Sequence, residues 1–148
     1  MLQIQIIECE TPVEIERCKK IRIEVFCDEQ GFSADEEFDK FDQDPTTKYF
    51  LAVDANTSDD YGTVRLVNDN KLTRLAVRAK GRGNGIAKKL CFTLEDYVRK
   101  SNPDCLSLKT HSQLQRKSFY AQLGYRVDEN KGVFDEDGMD HVLMWKQL

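Results

Sequence analysis

The apolar and polar positions of the chain begin with a short alternation. Leu2, Ile4 and Ile6 alternate with glutamines, which is the period of two expected of a strand with one buried face. The run Thr11–Glu14 then offers an N-cap, a proline at the first helical position and a glutamate at the third, and apolar residues follow at helical spacing. We therefore predict a strand over residues 2–6 and a helix from 12 to about 27.

An acidic, aperiodic stretch follows, and then three runs that favour strands. Residues 28–47 carry phenylalanines among many carboxylates, and they predict one short helix near 34–39 within a loop that covers part of the molecule. The runs 48–54, 61–68 and 71–77 are separated by turns rich in Asn and Asp. Three consecutive strands are predicted here.

The second half of the chain contains two helical patterns and three further strand-like runs. After a glycine-dense turn, apolar residues recur every three or four positions between 87 and 98 and define one face of a helix. Residues 105–110 predict a strand, and Ser112–Gln115 has the form of a capping box that starts a helix ending at Gly124. Residues 125–127 and 141–145 resemble a closing antiparallel pair. The order predicts an α/β fold around one mixed sheet, in a single domain.

Composition argues against several classes of function. The five cysteines are an odd number without a Cys-x-x-Cys pair, and no signal peptide or long apolar run precedes them, which favours reduced thiols in a cytoplasmic or nuclear protein. The two histidines lie thirty residues apart, so no metal site is expected. A formal charge of −4 argues against a nucleic-acid surface. Neither nucleic acid nor a membrane is therefore an expected partner.

The glycine-dense turn is the strongest chemical signal in the sequence. Gly81, Gly83 and Gly85 stand at every second position between an apolar strand and a helix, so backbone N–H groups and the positive end of the helix dipole are presented to an anion. The lysine and hydroxyl residue of a P-loop are missing after the last glycine, and the glycine spacing differs from the dinucleotide fingerprint. A phosphate-bearing ligand of another kind is predicted, with an empty glycine-rich connection as the alternative.

Several motifs resemble those of the GNAT superfamily of N-acetyltransferases. Arg82-x-x-Gly85-x-Ala87 is similar to the turn that holds the pyrophosphate of acetyl-coenzyme A in that superfamily, and residues 118–125 (SFYAQLGY) are similar to its segment after the fifth strand. Motifs within 22–39 and 140–144 resemble the bacterial ElaA and YjcF type. The resemblance implies a GNAT-like domain over residues 1–148, with a mixed, mostly antiparallel sheet of about seven strands flanked by helices.

The same resemblance assigns roles to individual residues. The strand residues Leu75, Ala76 and Val77 would offer backbone groups to the pantetheine arm of acetyl-coenzyme A, and Gln113 stands where the family often has an asparagine that contacts this arm. The residues expected to wrap the pyrophosphate are Arg82, Gly83, Asn84, Gly85, Ile86 and Ala87. Tyr120 is the candidate general acid that protonates the departing thiolate, and a core aromatic residue is its alternative.

The general base is less well defined by the sequence. Glu29 follows the first helix, where this fold lines the acceptor pocket, and an exposed carboxylate is its alternative. His111 comes directly after the fifth predicted strand and titrates near neutrality, and a histidine bonded to backbone is its alternative. A chain of water molecules would need no dedicated base. His141 is interpreted as a residue that is structural or shapes the pocket, rather than one that moves protons.

These features lead to a functional expectation. We expect an acyltransferase that moves the acetyl group of acetyl-coenzyme A to a primary amine, on a small molecule or a lysine or peptide, by direct attack in a ternary complex. A non-catalytic acyl-coenzyme A sensor or subunit with the same fold is the alternative, and a structural protein with an empty turn is a third reading. The acidic residues among 28–37 favour a cationic acceptor. The sequence leaves monomer and homodimer open.

Overall fold

Eight strands form one mixed sheet with helices on both faces in the computed structural model, which describes residues 1–148. The strands are β1 (Ile4–Glu8), β2 (Lys48–Asp54), β3 (Asp60–Val67), β4 (Lys71–Val77), β5 (Ser107–Gln113), β6 (Arg126–Val127), β7 (Phe134–Glu136) and β8 (Met139–Gln147). The helices are α1 (Pro12–Arg22), α2 (Ala34–Glu37), α3 (Ile86–Ser101) and α4 (Lys117–Gln122).

The strand order in the sheet is β1-β2-β3-β4-β5-β8-β6, and β7 pairs with β8. Every pairing is antiparallel except that of β4 with β5, which is parallel. This confirms the predicted α/β class and its mixed, mostly antiparallel sheet. The strand count is eight rather than about seven, because β7 was not predicted from the sequence.

Two apolar layers hold the helices against the sheet. On one face α3 buries Leu90, Leu94 and Val98 against strand residues such as Phe50 and Leu72. On the other face α1 buries its own apolar residues, Cys18 and Ile21, against β2 and β4. Each buried side chain of this size contributes roughly 1.5–3 kcal/mol to folding, so the two helices are fixed relative to the strands that border the site.

The first helix begins as predicted and ends differently. The Thr11 side chain accepts a hydrogen bond from the Glu14 backbone N–H, and the Glu14 side chain accepts one from the Thr11 N–H, which completes the predicted capping box. The α-helix ends at Arg22 and continues as a π-helix over Ile23–Glu29. A π-helix is wider than an α-helix, and such segments are frequent beside functional sites.

The capping box predicted at Ser112–Gln115 is wrong. β5 pairs with β8 along its whole length and extends to Gln113, so His111 lies within the strand rather than after it. The Ser112 hydroxyl donates to the Gln113 carbonyl at 2.9 Å instead of capping a helix. A 3-10 turn over Leu114–Arg116 then leads into α4, because pairing with β8 outweighs the local helix signal.

An ionic cluster anchors the stretch from Ser33 to Gln43, which contains α2 and a 3-10 turn. Three guanidinium groups face three carboxylates in it, and the members are Arg22, Arg65, Arg74, Glu37, Asp39 and Asp42. Arg22 and Arg65 are almost fully buried. The short helix predicted near 34–39 is thereby confirmed at 34–37, and its segment is fixed over one end of the sheet.

None of the helices combines the length and apolar composition needed to cross a membrane.

Candidate active site

A cavity of about 980 Å³ opens where β4 and β5 separate. The two strands pair only through Lys71 with Lys109 and Leu72 with Thr110, and beyond this point they diverge. The glycine turn lines one end of the cavity, and the other end is lined by the segment around α2 together with β5 and β7. Cavities of this size hold small molecules and cofactors in other proteins.

A bulge in β4 marks the start of the separation. The register of β4 against β3 shifts by one residue between the pairs Thr63–Ala76 and Arg65–Thr73. Arg74 lies in this bulge with a φ of 52°, a conformation that costs a non-glycine residue roughly 1–2 kcal/mol. Its guanidinium group offsets this cost by donating to the Glu37 carbonyl at 3.0 Å and lying 3.3 Å from Asp39.

The glycine turn carries a run of unpaired backbone donors. No backbone N–H from Gly83 to Lys88 donates to an acceptor within the protein, and the first helical bond of α3 is that from Lys89 N–H to Gly85. Gly85 is the N-terminal cap and offers no side-chain acceptor to these groups. Consecutive free N–H groups at a helix N-terminus bind anions, because partial positive charge accumulates there.

The glycines of the turn serve different purposes. Gly83 and Gly85 have φ values of 83° and 71°, which residues other than glycine rarely adopt. A Cβ on Gly81 would instead lie 2.7 Å from a ring carbon of Tyr61, so this glycine allows close packing. The Asn84 side chain donates to the carbonyls of Gly81 and Arg82 at 3.0 and 3.2 Å and so braces the turn.

Glu29 lies beside the glycine turn rather than at the far end of the cavity. Its carboxylate is 2.6 Å from the Arg82 guanidinium group, and Arg82 also donates to the Val77 carbonyl. Glu29 and Asn84 are absent from the cavity lining, whereas the other sequence-predicted site residues line it. Glu29 is therefore engaged by Arg82 and does not line the cavity that Tyr120 and His111 line.

Tyr120 lies on α4 and lines the cavity while being almost fully buried. Its ring packs edge-on against Phe119 and Tyr125, with centroid distances of 5.1 and 5.6 Å. Burial, and then the neighbouring Cys91 thiol, raise the pKa of the Tyr120 phenol above its ordinary value. The phenol therefore keeps its proton at neutral pH and can donate it.

Two imidazoles lie beside one carboxylate on the side of the cavity formed by β5, β7 and β8. His111 Nδ1 lies 2.8 Å from Glu136 Oε1, and His141 Nε2 lies 3.5 Å from Glu136 Oε2. The pKa of Glu136 is lowered, because its contacts with His111 and His141 outweigh the opposing effect of burial. When the Nδ1–H group of His111 donates a hydrogen bond to Glu136, His111 Nε2 keeps a lone pair that can accept a proton.

Sequence reasoning missed Glu136. It ends β7, which is followed by Asp137–Gly138 with φ values of 53° and 83°, as in a tight hairpin turn. The Asp-Gly pair is the signal that would have found this hairpin.

Gln113, which was predicted to contact a pantetheine arm, donates to Gln30 at 3.1 Å across the cavity.

No group of three or more His, Cys, Asp or Glu side chains is placed to hold a metal ion. The site combines anion binding by backbone N–H groups at one end with a buried phenol and a carboxylate-bound imidazole along the walls.

Comparison with known proteins points to one family. A family model described as "Acetyltransferase (GNAT) domain" matches residues 14–148. YyaT of Bacillus subtilis, an uncharacterized protein, is 33% identical and aligns over 93% of this chain and 92% of its own length. A crystal structure of a candidate N-acetyltransferase from Lactobacillus plantarum is 29% identical, with a TM-score of 0.85 over 98% of both chains.

Two more distant structures share the fold. Escherichia coli ElaA has a TM-score of 0.80 at 19% identity, and the alignment covers 99% of both chains. An aminoglycoside 6'-N-acetyltransferase complexed with coenzyme A has a TM-score of 0.69 at 16% identity, covering 97% of this chain and 96% of its own.

Proposed function

This chain belongs to the GNAT acetyltransferase family, and we propose that it transfers the acetyl group of acetyl-coenzyme A to a primary amine by direct attack in a ternary complex. Family membership confirms the predicted resemblance to the superfamily and its ElaA-like members. It also supports acyl transfer from an acyl-coenzyme A as the reaction class. The acetyl donor, the amine acceptor and the residue roles below are our proposal.

The observation that carries the proposal is the run of unpaired N–H groups from Gly83 to Lys88 at the mouth of the separated strands. These groups suit the pyrophosphate of a coenzyme A molecule. The backbone of Leu75–Val77, which lines the cavity beside the turn, suits its amide-containing arm, because an extended amide chain can pair like an added strand. Bound acetyl-coenzyme A supplies an activated thioester carbonyl.

Two side chains in the cavity have the properties that the proton transfers require. We assign Tyr120 as the general acid for the thiolate, because burial keeps its phenol protonated. We assign His111 Nε2 as the base that deprotonates the ammonium of the acceptor, and Glu136 as the group that orients the imidazole. Glu29 is left out of this assignment, since it is paired with Arg82 beside the turn.

Direct attack is favoured over a covalent acetyl-cysteine route. None of the five cysteines lines the cavity. Cys91 is the cysteine that influences the pKa of Tyr120. Burial raises the pKa of its own thiol. A buried, protonated thiol is a poor nucleophile.

We further propose that residues 1–148 work as one domain in the cytoplasm.

The experiment compares thiol release from acetyl-coenzyme A by the parent protein with that by Tyr120→Phe, over a panel of primary amines. The variant should lose roughly 100-fold in kcat, because a positioned general acid contributes at least that much, while binding coenzyme A with unchanged affinity in calorimetry. Tyr125→Phe is the matched control, since the Tyr125 hydroxyl is buried without a hydrogen-bond partner and lies outside the cavity lining.

Three outcomes separate the readings. Amine-dependent thiol release that falls in Tyr120→Phe and not in Tyr125→Phe supports the proposal. Full activity of Tyr120→Phe removes the general-acid role. Tight binding of coenzyme A without thiol release for any amine would make the protein an acyl-coenzyme A sensor instead.

A further inference from the structure

The cavity end opposite the glycine turn, which we call the acceptor end, has few free carboxylates. It comprises Lys71, Arg74, His111, Glu136 and His141 together with the segment around α2. Although that segment is acidic in sequence, its carboxylates at positions 37, 39 and 42 are engaged by the three arginines of the ionic cluster. Glu136 is engaged by the His111 imidazole at 2.8 Å, and His141 Nε2 lies 3.5 Å from its other oxygen.

This pairing changes the expectation of a cationic acceptor. The acidic stretch predicted a negatively charged wall, yet the guanidinium groups neutralise the part of it that is buried against the sheet. Glu36 and Asp137 also line the cavity, and both are exposed residues. The inner acceptor end therefore lacks an unpaired carboxylate that would select a second positive charge.

Lys71 is a half-buried cation at this end without a salt bridge to any carboxylate. Its one polar side-chain contact is His111 Nδ1, at 3.3 Å from Nζ. Glu136 Oε1 lies closer to the same nitrogen, at 2.8 Å. An imidazole nitrogen either donates or accepts, so when His111 Nδ1 donates to the ionised Glu136 it cannot accept from Lys71.

The Lys71 ammonium group is then left without an acceptor in the protein. Burial lowers its pKa, and the positive charges of Lys109, Arg65 and Arg74 act in the same direction, while Glu136 opposes them. An incompletely solvated cation with unused donors binds an anion favourably, because the anion replaces the lost solvation and supplies acceptors.

We infer that Lys71 binds a carboxylate on the acceptor, so that the substrates are amines which also carry a carboxylate, as amino acids do. The inference rests on the proposed acetyl transfer. Lys71 and His111 lie on adjacent strands, and Lys71 Nζ is 3.3 Å from His111 Nδ1, the ring nitrogen on the other side of the imidazole from the proposed base Nε2. A carboxylate on Lys71 therefore brings an amine attached through a short carbon spacer to the His111 imidazole. Lys71 acts as a specificity-determining residue.

The test uses pairs of amines that differ only in the carboxylate: ornithine with putrescine, lysine with cadaverine, and alanine with ethylamine. The measured quantity is the ratio of kcat/KM for the acid to kcat/KM for its partner amine. In the parent protein at least one pair should favour the acid. In Lys71→Met this ratio should fall by about 10- to 100-fold, the value of a hydrogen bond to a charged group. Lys71→Arg should restore part of it.

Lys109→Met is the matched control. Lys109 pairs directly with Lys71 in the sheet, but its ammonium lies over the Trp145 ring at 5.5 Å and does not line the cavity. Its substitution should leave the ratio unchanged. Thermal melting of the variants checks that they fold, and Lys71→Arg provides a folded comparison if Lys71→Met does not fold.

The possible failures are distinguishable. If the parent protein prefers the plain amine to the acid in every pair, or if Lys71→Met keeps the parent ratio, the inference is overturned and the proposed function stands. If no amine of either kind is acetylated, the proposed function itself fails. Mass spectrometry that finds the acetyl group on Lys71 would also overturn the inference, since Lys71 would then be the acceptor.

Discussion

Replacing Asp42 with asparagine tests whether the ionic cluster holds the segment that covers the acceptor end. Asp42 has a side chain that is 5% exposed, and it faces the guanidinium groups of Arg22 and Arg65, which are 1% and 2% exposed. Its Oδ1 accepts from both arginines and from the Tyr49 hydroxyl, at 2.7, 3.0 and 2.8 Å. Its Oδ2 accepts from Arg22 at 2.9 Å and from the Asp39 N–H at 3.1 Å.

The expected loss of stability follows from these contacts. The side-chain amide introduced by Asp42→Asn would place its NH₂ group against an Arg22 donor in either orientation, because both oxygens of Asp42 accept from Arg22. The cluster would also carry three buried or half-buried arginines against two carboxylates. Removing one partner of a buried ion pair costs about 3–5 kcal/mol. Because each arginine keeps another carboxylate, we expect about 3 kcal/mol, a large part of a total of roughly 5–15 kcal/mol.

Urea unfolding at pH 7 measures the free energy of unfolding, with an unchanged m-value as the sign that the folded state is intact. Asp59→Asn is the matched control: Asp59 is 54% exposed, and its contact with Lys80 is 3.6 Å long. That substitution should cost less than about 0.5 kcal/mol. A difference between the two variants of less than about 1 kcal/mol would refute the structural role of the cluster.

The pH dependence gives an independent check on the same residue. Burial acts to raise the pKa of Asp42, but Arg22 and Arg65 together hold this pKa far below the ordinary value of about 3.9. The stabilisation is therefore complete above about pH 4 and is lost as the pH falls further and Asp42 becomes protonated. The stability gap between the parent protein and Asp42→Asn should stay constant near neutrality and narrow in acid. A gap that widens in acid would contradict this assignment.

Three further predictions concern the site. Gly85→Ala forces a side chain into a φ of 71° and should raise the Kd for coenzyme A about tenfold in calorimetry, whereas unchanged affinity would disconnect the turn from the ligand. Glu136→Gln should lower kcat about tenfold, because the His111 imidazole loses the carboxylate that orients it; an unchanged kcat would exclude this role. Since burial raises the pKa of Tyr120, no loss of kcat assigned to this phenol should begin below about pH 10 in a pH–rate profile.

The elements that the sequence predicted well are those with strong local signals. The bounds of β2 and β4 agree with the predicted runs 48–54 and 71–77, because Asn- and Asp-rich turns delimit them. The helix predicted from the apolar face between residues 87 and 98 is also found, as α3 over Ile86–Ser101. The predictions failed where pairing with a distant strand decided the outcome, as when β8 extended β5 through the false capping box.

The anion site depends on local sequence, whereas the acceptor end depends on contacts between distant parts of the chain. The glycine turn is a local feature, because its conformation and free N–H groups depend on a few consecutive residues, and the sequence by itself determined where it lies. The contacts of His111 with Glu136 and Lys71 join residues 25 and 40 positions apart, and the pairing of the acidic segment with buried arginines is equally remote. Only the tertiary structure decided these, because strand register and burial, rather than local preference, determine which charges meet and which cation is left unpaired.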